Sequence, residues 1–355
     1  MIFITEKQQK LLRVLLVLGS ASSSSLHEML LKDGVSTSLV SVKRELSQLV
    51  KQKIFLTEGS GPAVRYTISS LGRVFSSVDA HKYCSLDPDV RYGLSGYNFD
   101  LLSQFPSAVF SREELQGLAV ATKKYLLRAH GLSLALQKKE LERLIIELSW
   151  KSSKIEGNTY TLLDTEKLIL ENKEAKGRKA SETQMILNHK DAFQFVIAHA
   201  QEFKTLTKNN IEVLHKILVK NMGVASGFRK GMVGITGSKY RPLDNQHQIR
   251  EAFENLCAVV LKLKTPYEKA LMALLGIGYI QPFEDGNKRT SRLIANAILL
   301  AYGCAPLSYR SVDEEEYREA TLVFYELNSI VPFKKIFKEQ YVFAAENYAV
   351  TIQSK

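Results

Sequence analysis

Cysteine is scarce: Cys84, Cys257 and Cys304 are the only three in 355 residues, and no two form a Cys-x-x-Cys pair. That spacing excludes a disulfide framework and a cysteine zinc site, and it fits a reducing compartment, the cytoplasm. The seven histidines are scattered singly. Without a His-x-x-x-His or His-Glu-x-x-His pair, the common zinc-hydrolase arrangements are removed. Long apolar runs are missing too: Glu6, Lys7, Lys10 and Arg13 interrupt the stretch that leads to Leu15 and Leu18. Neither a membrane span nor a secretory leader is expected there, and no membrane partner. No Gly-x-x-x-x-Gly-Lys-Ser/Thr run occurs, so a P-loop is not a source of nucleotide binding.

What the chain does have is positive charge: 48 Lys and Arg against 37 Asp and Glu give +11. The sign favours phosphate-bearing partners, nucleic acid or nucleotide, without choosing between them. Hydrophobic residues at 45% and charged residues at 24% are those of a folded protein, and the length suits two or three domains.

Residues 6 to 18 place Leu11, Leu12, Leu15, Leu16 and Leu18 at helical spacing before Gly19. A second helix is expected from about Ser24 to Lys32, and a third from Ser36 or Thr37 to Lys53. Residues 54–57 and 64–68, separated by Gly59-Ser60-Gly61-Pro62, read as a two-stranded hairpin. Three helices and a hairpin resemble a winged helix, which sets the first domain at 1–75. That resemblance implies a third helix entering the DNA major groove, with Lys43, Arg44, Lys51 and Lys53 on it and Arg65 on the wing. A protein-contact module of the same shape is equally open.

Residues 76–110, with Pro88, Gly93, Gly96 and Pro106, read as a loosely structured connector. From 111 to 355 the periodicity is helical almost throughout, including a helix at about 134–156 and a strongly marked start at Thr265-Pro266-Tyr267-Glu268. The fold class is therefore mainly α, a small helix-and-hairpin domain followed by an all-helical one.

The segment richest in chemistry is Gln281-Pro282-Phe283-Glu284-Asp285-Gly286-Asn287-Lys288-Arg289-Thr290-Ser291-Arg292. Pro282 forces Gln281 out of the right-handed helical region, and Gly286 allows a tight entry into the next helix. Arg289 and Arg292, three apart, project together beside the free N–H groups of that helix start. Such a constellation binds phosphate oxygens, and Asp285 at its edge can hold a divalent cation.

This twelve-residue pattern closely resembles the signature of the Fic family, His-Pro-Phe-x-Asp/Glu-Gly-Asn-Gly-Arg-x-x-Arg, whose members typically transfer AMP from ATP to a hydroxyl of a target protein. The resemblance implies ATP with Mg²⁺ as cofactor, Gly286, Asn287, Lys288, Arg289 and Arg292 as nucleotide contacts, and Asp285 as the metal position. Ser152-Ser153-Lys154-Ile155-Glu156-Gly157 is similar to the family's inhibitory motif, which implies that Glu156, with Ser152 and Gly157 around it, pairs with Arg292 and keeps that arginine from the γ-phosphate. Residues from Gly227-Phe228-Arg229 to Tyr240-Arg241-Pro242 resemble the flap that aligns a target segment, with Gly237, Ser238, Lys239 and Tyr240 at its turn; alternation at Val233 and Ile235 suggests a short hairpin strand.

Two positions depart from the pattern. Gln281 stands where the family has its general-base histidine, and a glutamine amide is not basic at neutral pH. Lys288 stands for the second glycine, as in the kinase-type branch of the superfamily. The sequence thus implies a nucleotide-binding protein impaired in AMP transfer and joined to a DNA-binding winged helix, a regulator. The alternatives are an active AMP- or phospho-transferase by a histidine-independent route, or a scaffold with a vestigial pocket. A target protein and a second copy of the chain stay among the candidate partners.

Overall fold

The computed structural model describes residues 4–350. Its first helices are α1 (Glu6–Leu18), α2 (Ser23–Lys32) and α3 (Leu39–Lys51), then the short α4 (Ser70–Val74), α5 (Ala80–Cys84) and α6 (Asp100–Ser103). Next come α7 (Arg112–His130), α8 (Leu134–Ile155), α9 (Leu162–Glu171), α10 (Ala180–Ala198) and α11 (Lys208–Leu218). The series ends with α12 (Gln246–Lys262), α13 (Pro266–Ile280), α14 (Asn287–Ala301), α15 (Glu314–Leu327) and α16 (Val331–Asn347). Among the described residues no helix is long and apolar enough to cross a membrane.

The chain forms two compact units that do not follow chain order. One comprises Met1–Pro106, Gly234–Arg241 and Glu315–Lys335; the other comprises Ser107–Val233, Pro242–Glu314 and Ile336–Lys355. The first break falls inside the expected connector, but two later segments of the expected helical domain group with the N-terminal part.

In the first unit α1 opens on a reciprocal cap between Thr5 and Gln8, while Ser22 and Ser38 cap α2 and α3. Leu11, Leu15, Leu26, Leu30, Val42 and Leu46 are wholly buried, so the three helices close one core. Against it lies an antiparallel sheet in the order β1-β3-β2, from β1 (Ser20–Ala21), β2 (Phe55–Glu58) and β3 (Arg65–Ile68). Phe55 faces Ile68 and Glu58 faces Arg65, which keeps Phe55 and Ile68 on the core side. Strand β1 was not expected, because two residues carry no alternation.

The stretch after β3 is not the loose connector that its Pro and Gly content suggests. It is tied down by a buried carboxylate, Glu326 of α15, which lies 2.7 Å from Tyr83 Oη and 3.3 Å from the Arg91 guanidinium. The same carboxylate accepts from Ser238 Oγ at 2.7 Å and from the Lys239 N–H at 3.3 Å. A charge this deeply buried is stable only when so partnered.

The expected hairpin strand at Val233 and Ile235 is absent. Residues 227–241 form turns and extended backbone, with one isolated bridge between Gly96 and Arg241. Four glycines in this stretch weaken a strand, and side chains rather than a ladder hold it: Glu326 at 238–239, and Arg229 further back.

The second unit is built around α13 and α14. Every α13 residue from Tyr267 to Ile280 is buried, and α14 exposes little beyond Lys288. The Thr265–Glu268 capping box starts α13, with Pro266 in its first turn. Gly276 lets α12 approach, since a Cβ there would sit 2.4 Å from Leu256 Cδ1. α14 packs on α13, α11, α10 and α8, so the start of α14 is fixed from several sides. α10 ends at Ala198 and the chain tightens into a 3₁₀ turn, Ala200–Lys204.

Candidate functional site

α13 stops where Gln281 turns left-handed, at φ 51° and ψ 59°. A non-glycine residue held there stores about 1 to 3 kcal/mol of strain, and the following Pro282 blocks a return to helix. The Gln281 side chain donates from Nε2 to the Gly278 carbonyl at 2.6 Å. Its own carbonyl is held by Arg229 Nε at 2.6 Å, and Arg229 also reaches the Gly231 carbonyl at 2.5 Å and that of Leu243. One buried guanidinium thus pins the loop to the base of the 227–243 segment.

Within the loop Phe283 is fully buried and stacks on the His215 ring, with centroids 3.7 Å apart. His215 Nε2 lies 2.9 Å from the Asp285 carbonyl, which accepts, so the ring proton sits on Nε2. Burial lowers the His215 pKa and keeps the ring neutral. Asn287 closes the loop with both ends of its amide: Oδ1 accepts the Phe283 N–H and Nδ2 donates to the Phe283 carbonyl, each at 2.8 Å. Its side chain shapes the loop, and its backbone N–H faces outward from the helix start. Gly286, at φ 79°, gives the turn into α14.

Thr290 makes the N–H bond to Gly286 at 2.8 Å that opens α14, so Asn287, Lys288 and Arg289 carry the helix's positive end. Arg289, almost fully buried, pairs with the exposed Asp285 carboxylate at 3.1 Å. Arg292 is completely buried and donates to Ser152 Oγ at 2.9 Å and to the Ser152 carbonyl at 2.8 Å. Its third contact is Glu156 Oε1 at 2.8 Å, while Lys288 Nζ stands 3.7 Å from Glu156 Oε2.

The carboxylate at the end of α8 therefore sits in the anion position at the start of α14. Burial would raise the Glu156 carboxyl, but Arg292 and then Lys288 outweigh it and hold its pKa below the ordinary glutamate value. A negative charge at a helix C-terminus is unfavourable by itself. Here the facing helix start and two cations reverse that. Gly157, at φ 91°, ends the turn behind it.

Of the expected residues, Ser152, Glu156, Lys288 and Arg292 meet at this junction of α8 and α14, whereas Asp285 reaches Arg289, Asn287 closes the loop on Phe283, and Gln281 is tied to Gly278 and Arg229. Gly237 to Tyr240 belong to the first unit, where Glu326 holds them. Lys43, Arg44, Lys51 and Lys53 are exposed on or just after α3. Arg65 is exposed too, but donates to the Ser20 carbonyl at 2.8 Å and to Ser20 Oγ at 2.9 Å. Sequence reasoning missed Arg229 and His215 as loop supports, and the ion pairs of Lys151 and of Lys154, the latter at 3.5 Å, with Glu314. It also missed His189 on α10, wholly buried and near Arg292 and Arg289. Neither ring nitrogen of His189 has a hydrogen-bond partner among the described residues. Nothing local signals these, because each is defined by a partner far along the chain.

For a divalent cation the loop offers the exposed carboxylate of Asp285; among the described residues no three His, Cys, Asp or Glu side chains cluster. A single accessible carboxylate beside an anion cradle suits Mg²⁺, which keeps its waters and takes remaining ligands from phosphates.

Residues 205–299 match the Fic/DOC family. Among curated relatives, an adenylyltransferase Fic from Nematostella vectensis is 26% identical over 186 residues, 51% of this chain and 44% of its own length. One from Culex quinquefasciatus is 29% identical over 197 residues, 54% of this chain and 39% of its own. These matches therefore span well under half of either relative. Among solved structures, a Fic domain containing signaling protein from Bacteroides thetaiotaomicron aligns with a TM-score of 0.55 and 21% identity, over 67% of this chain and 99% of that one. Fold, motif and relatives agree on the class: this is a mainly helical Fic-fold protein. More particularly, the segment 205–299 that matches the Fic/DOC family carries glutamine at the first position of its motif.

Proposed function

We propose that the α8–α14 junction is an ATP site held closed by Glu156, in a protein that binds nucleotide but transfers AMP poorly. One observation carries this reading: the Glu156 carboxylate is held by Arg292 and Lys288, two cations from the first turns of α14. An anion is what such a place selects, and the internal one is displaceable by a phosphate. When bound, Mg²⁺ on Asp285 would supply charge neutralisation of the phosphates. The chain's own groups do the rest. Arg289 and Arg292 orient phosphate oxygens, and Gln281, its Nε2 committed to Gly278, offers only Oε1 to an incoming hydroxyl. That oxygen positions a proton without removing it, and a missing general base costs about 10² to 10⁴ in rate. A protein hydroxyl is the substrate class that the adenylyltransferase relatives suggest.

Calorimetry with ATP and Mg²⁺ tests the binding half. Heat is expected for Glu156→Gly protein and less for wild type; silence from both removes the nucleotide reading and leaves a scaffold. Gln281→His tests the impairment: labelled AMP appearing on protein only in that variant supports it, whereas transfer by wild type points to a histidine-independent route.

The N-terminal unit supports a second role for the same chain, a winged helix on DNA. Four exposed cations on or just after α3, with Arg65 on β3, are the favouring observation.

A further inference from the structure

We propose that the first unit holds a second ligand site, a cleft between α1 and α5 that takes a small amphipathic monoanion, an apolar body bearing one carboxylate or sulfonate. The cleft has a volume of about 650 Å³, within the range of small-molecule sites. Val14, Met29, Val78 and the rings of Tyr83 and Tyr92 line it, and Val17 and Leu86 stand at its mouth, 53% and 40% exposed. Apolar side chains in water around a concave surface are what an apolar ligand covers.

Charge at the rim selects the ligand's other end. Lys10, Arg13 and Lys82 face Asp33 and Asp79, an excess of one positive charge, which suits a monoanion and disfavours a polyphosphate. Lys10 leans on Glu6 at 3.7 Å, and Asp79 caps α5 through the Lys82 N–H at 3.0 Å. Arg13 and Lys82 have no ion pair among the described residues. Burial raises the Tyr92 phenol and the Arg13 charge opposes that, so the guanidinium stands near the ring. None of the basic residues assigned to DNA lines the cleft, so the two readings fail separately.

The back wall gives the site a consequence. Tyr83 Oη lies 2.7 Å from the Tyr92 carbonyl and 2.7 Å from Glu326 Oε2. Glu326 Oε1 takes the Ser238 hydroxyl and the Lys239 N–H. A ligand pressing on the Tyr83 ring thus acts, through one carboxylate, on the segment at 237–240.

The test titrates the full-length chain with anilinonaphthalene sulfonate, followed by fluorescence, with decanoate as competitor. A saturable signal at one site per chain, displaced by decanoate, is expected. Arg13→Glu and Val17→Glu, both exposed helix positions, should each weaken it about tenfold or more with unchanged thermal unfolding, the first by reversing a charged contact and the second by setting a negative charge against the ligand's apolar body. No saturable signal, or one that both variants leave intact, overturns the site. Hydrogen exchange reads the coupling: decanoate should change protection at the Lys239 amide, and binding without that change removes the relay while leaving the cleft.

Discussion

Arg229 is a small part of the chain with a large local duty. Its guanidinium serves carbonyls on both sides of the loop, so Arg229→Met leaves buried acceptors unpaired. The expected loss is about 3 kcal/mol, read as a lower urea midpoint at unchanged slope. An unshifted midpoint would show that the carbonyls find other donors.

His189 makes a pH prediction. Its pKa is pushed well below the ordinary histidine value, by burial first and then by Arg292 and Arg289. The folded state therefore binds fewer protons than the unfolded one, so the contribution is present above about pH 6.5 and is lost as pH falls. His189→Phe should flatten the decline of melting temperature between about pH 7.5 and 5.5, with the neutral His215 accounting for what slope remains. A slope identical to wild type would place the titration elsewhere.

Glu156 titrates lower. Its depressed pKa means that the contact with Arg292 is fully present above the ordinary glutamate value of 4.5 and is lost as pH falls through the depressed one. Amide exchange at the end of α8 should accelerate only in that acid range for wild type, and already at neutral pH for Glu156→Gln.

At the scale of elements, the proposed function requires the end of α8 to be released, and its burial suits that. Its last turns bury Ser149, Lys151, Ser152 and Ser153 where a purely structural helix would bury leucines. Ser149 and Ser153 hydroxyls have no hydrogen-bond partner among the described residues. Polar seams of this kind hold less firmly than apolar ones. Lys151 and Lys154, both over the Trp150 ring, brace the helix against Glu314. Glu314→Gln should loosen that brace by about 1 kcal/mol, since the pair is partly exposed. Faster exchange across 149–156 and tighter ATP binding by calorimetry are the expected readouts; tighter binding without faster exchange would locate the effect outside α8.

Elements also show where sequence reading works. α13 and α14 were legible because caps, Pro266 and the 282–286 turn punctuate long apolar stripes. α4, α5 and α6 were not, since four or five residues give no period, and the place of α5 is set by Glu326 and Arg91. The hairpin expected at 233–235 failed for the converse reason: alternation was there, but no neighbouring strand was. The candidate site was readable as a motif, residue by residue, whereas its supports, Arg229, His215 and Glu314, arise only when distant segments meet.

Across the whole molecule, the proposed DNA contact of the N-terminal unit is testable apart from the nucleotide site. If Lys43, Arg44, Lys51, Lys53 and Arg65 each meet a phosphate, log affinity for duplex DNA should fall against log salt with a slope of about −4.5. Lys43→Gln with Arg44→Gln should make that slope shallower by about 2. Binding that ignores salt would return the N-terminal unit to the protein-contact reading.

The left-handed corner at Gln281 has a genetic side. Glutamine and histidine codons differ only at the third base, so one transversion would return an imidazole to a position whose left-handed backbone and guanidinium clamp already stand. If the site works as proposed, a lineage carrying this chain keeps AMP transfer within a single mutational step, with Glu156 in place to guard it on the day that step is taken.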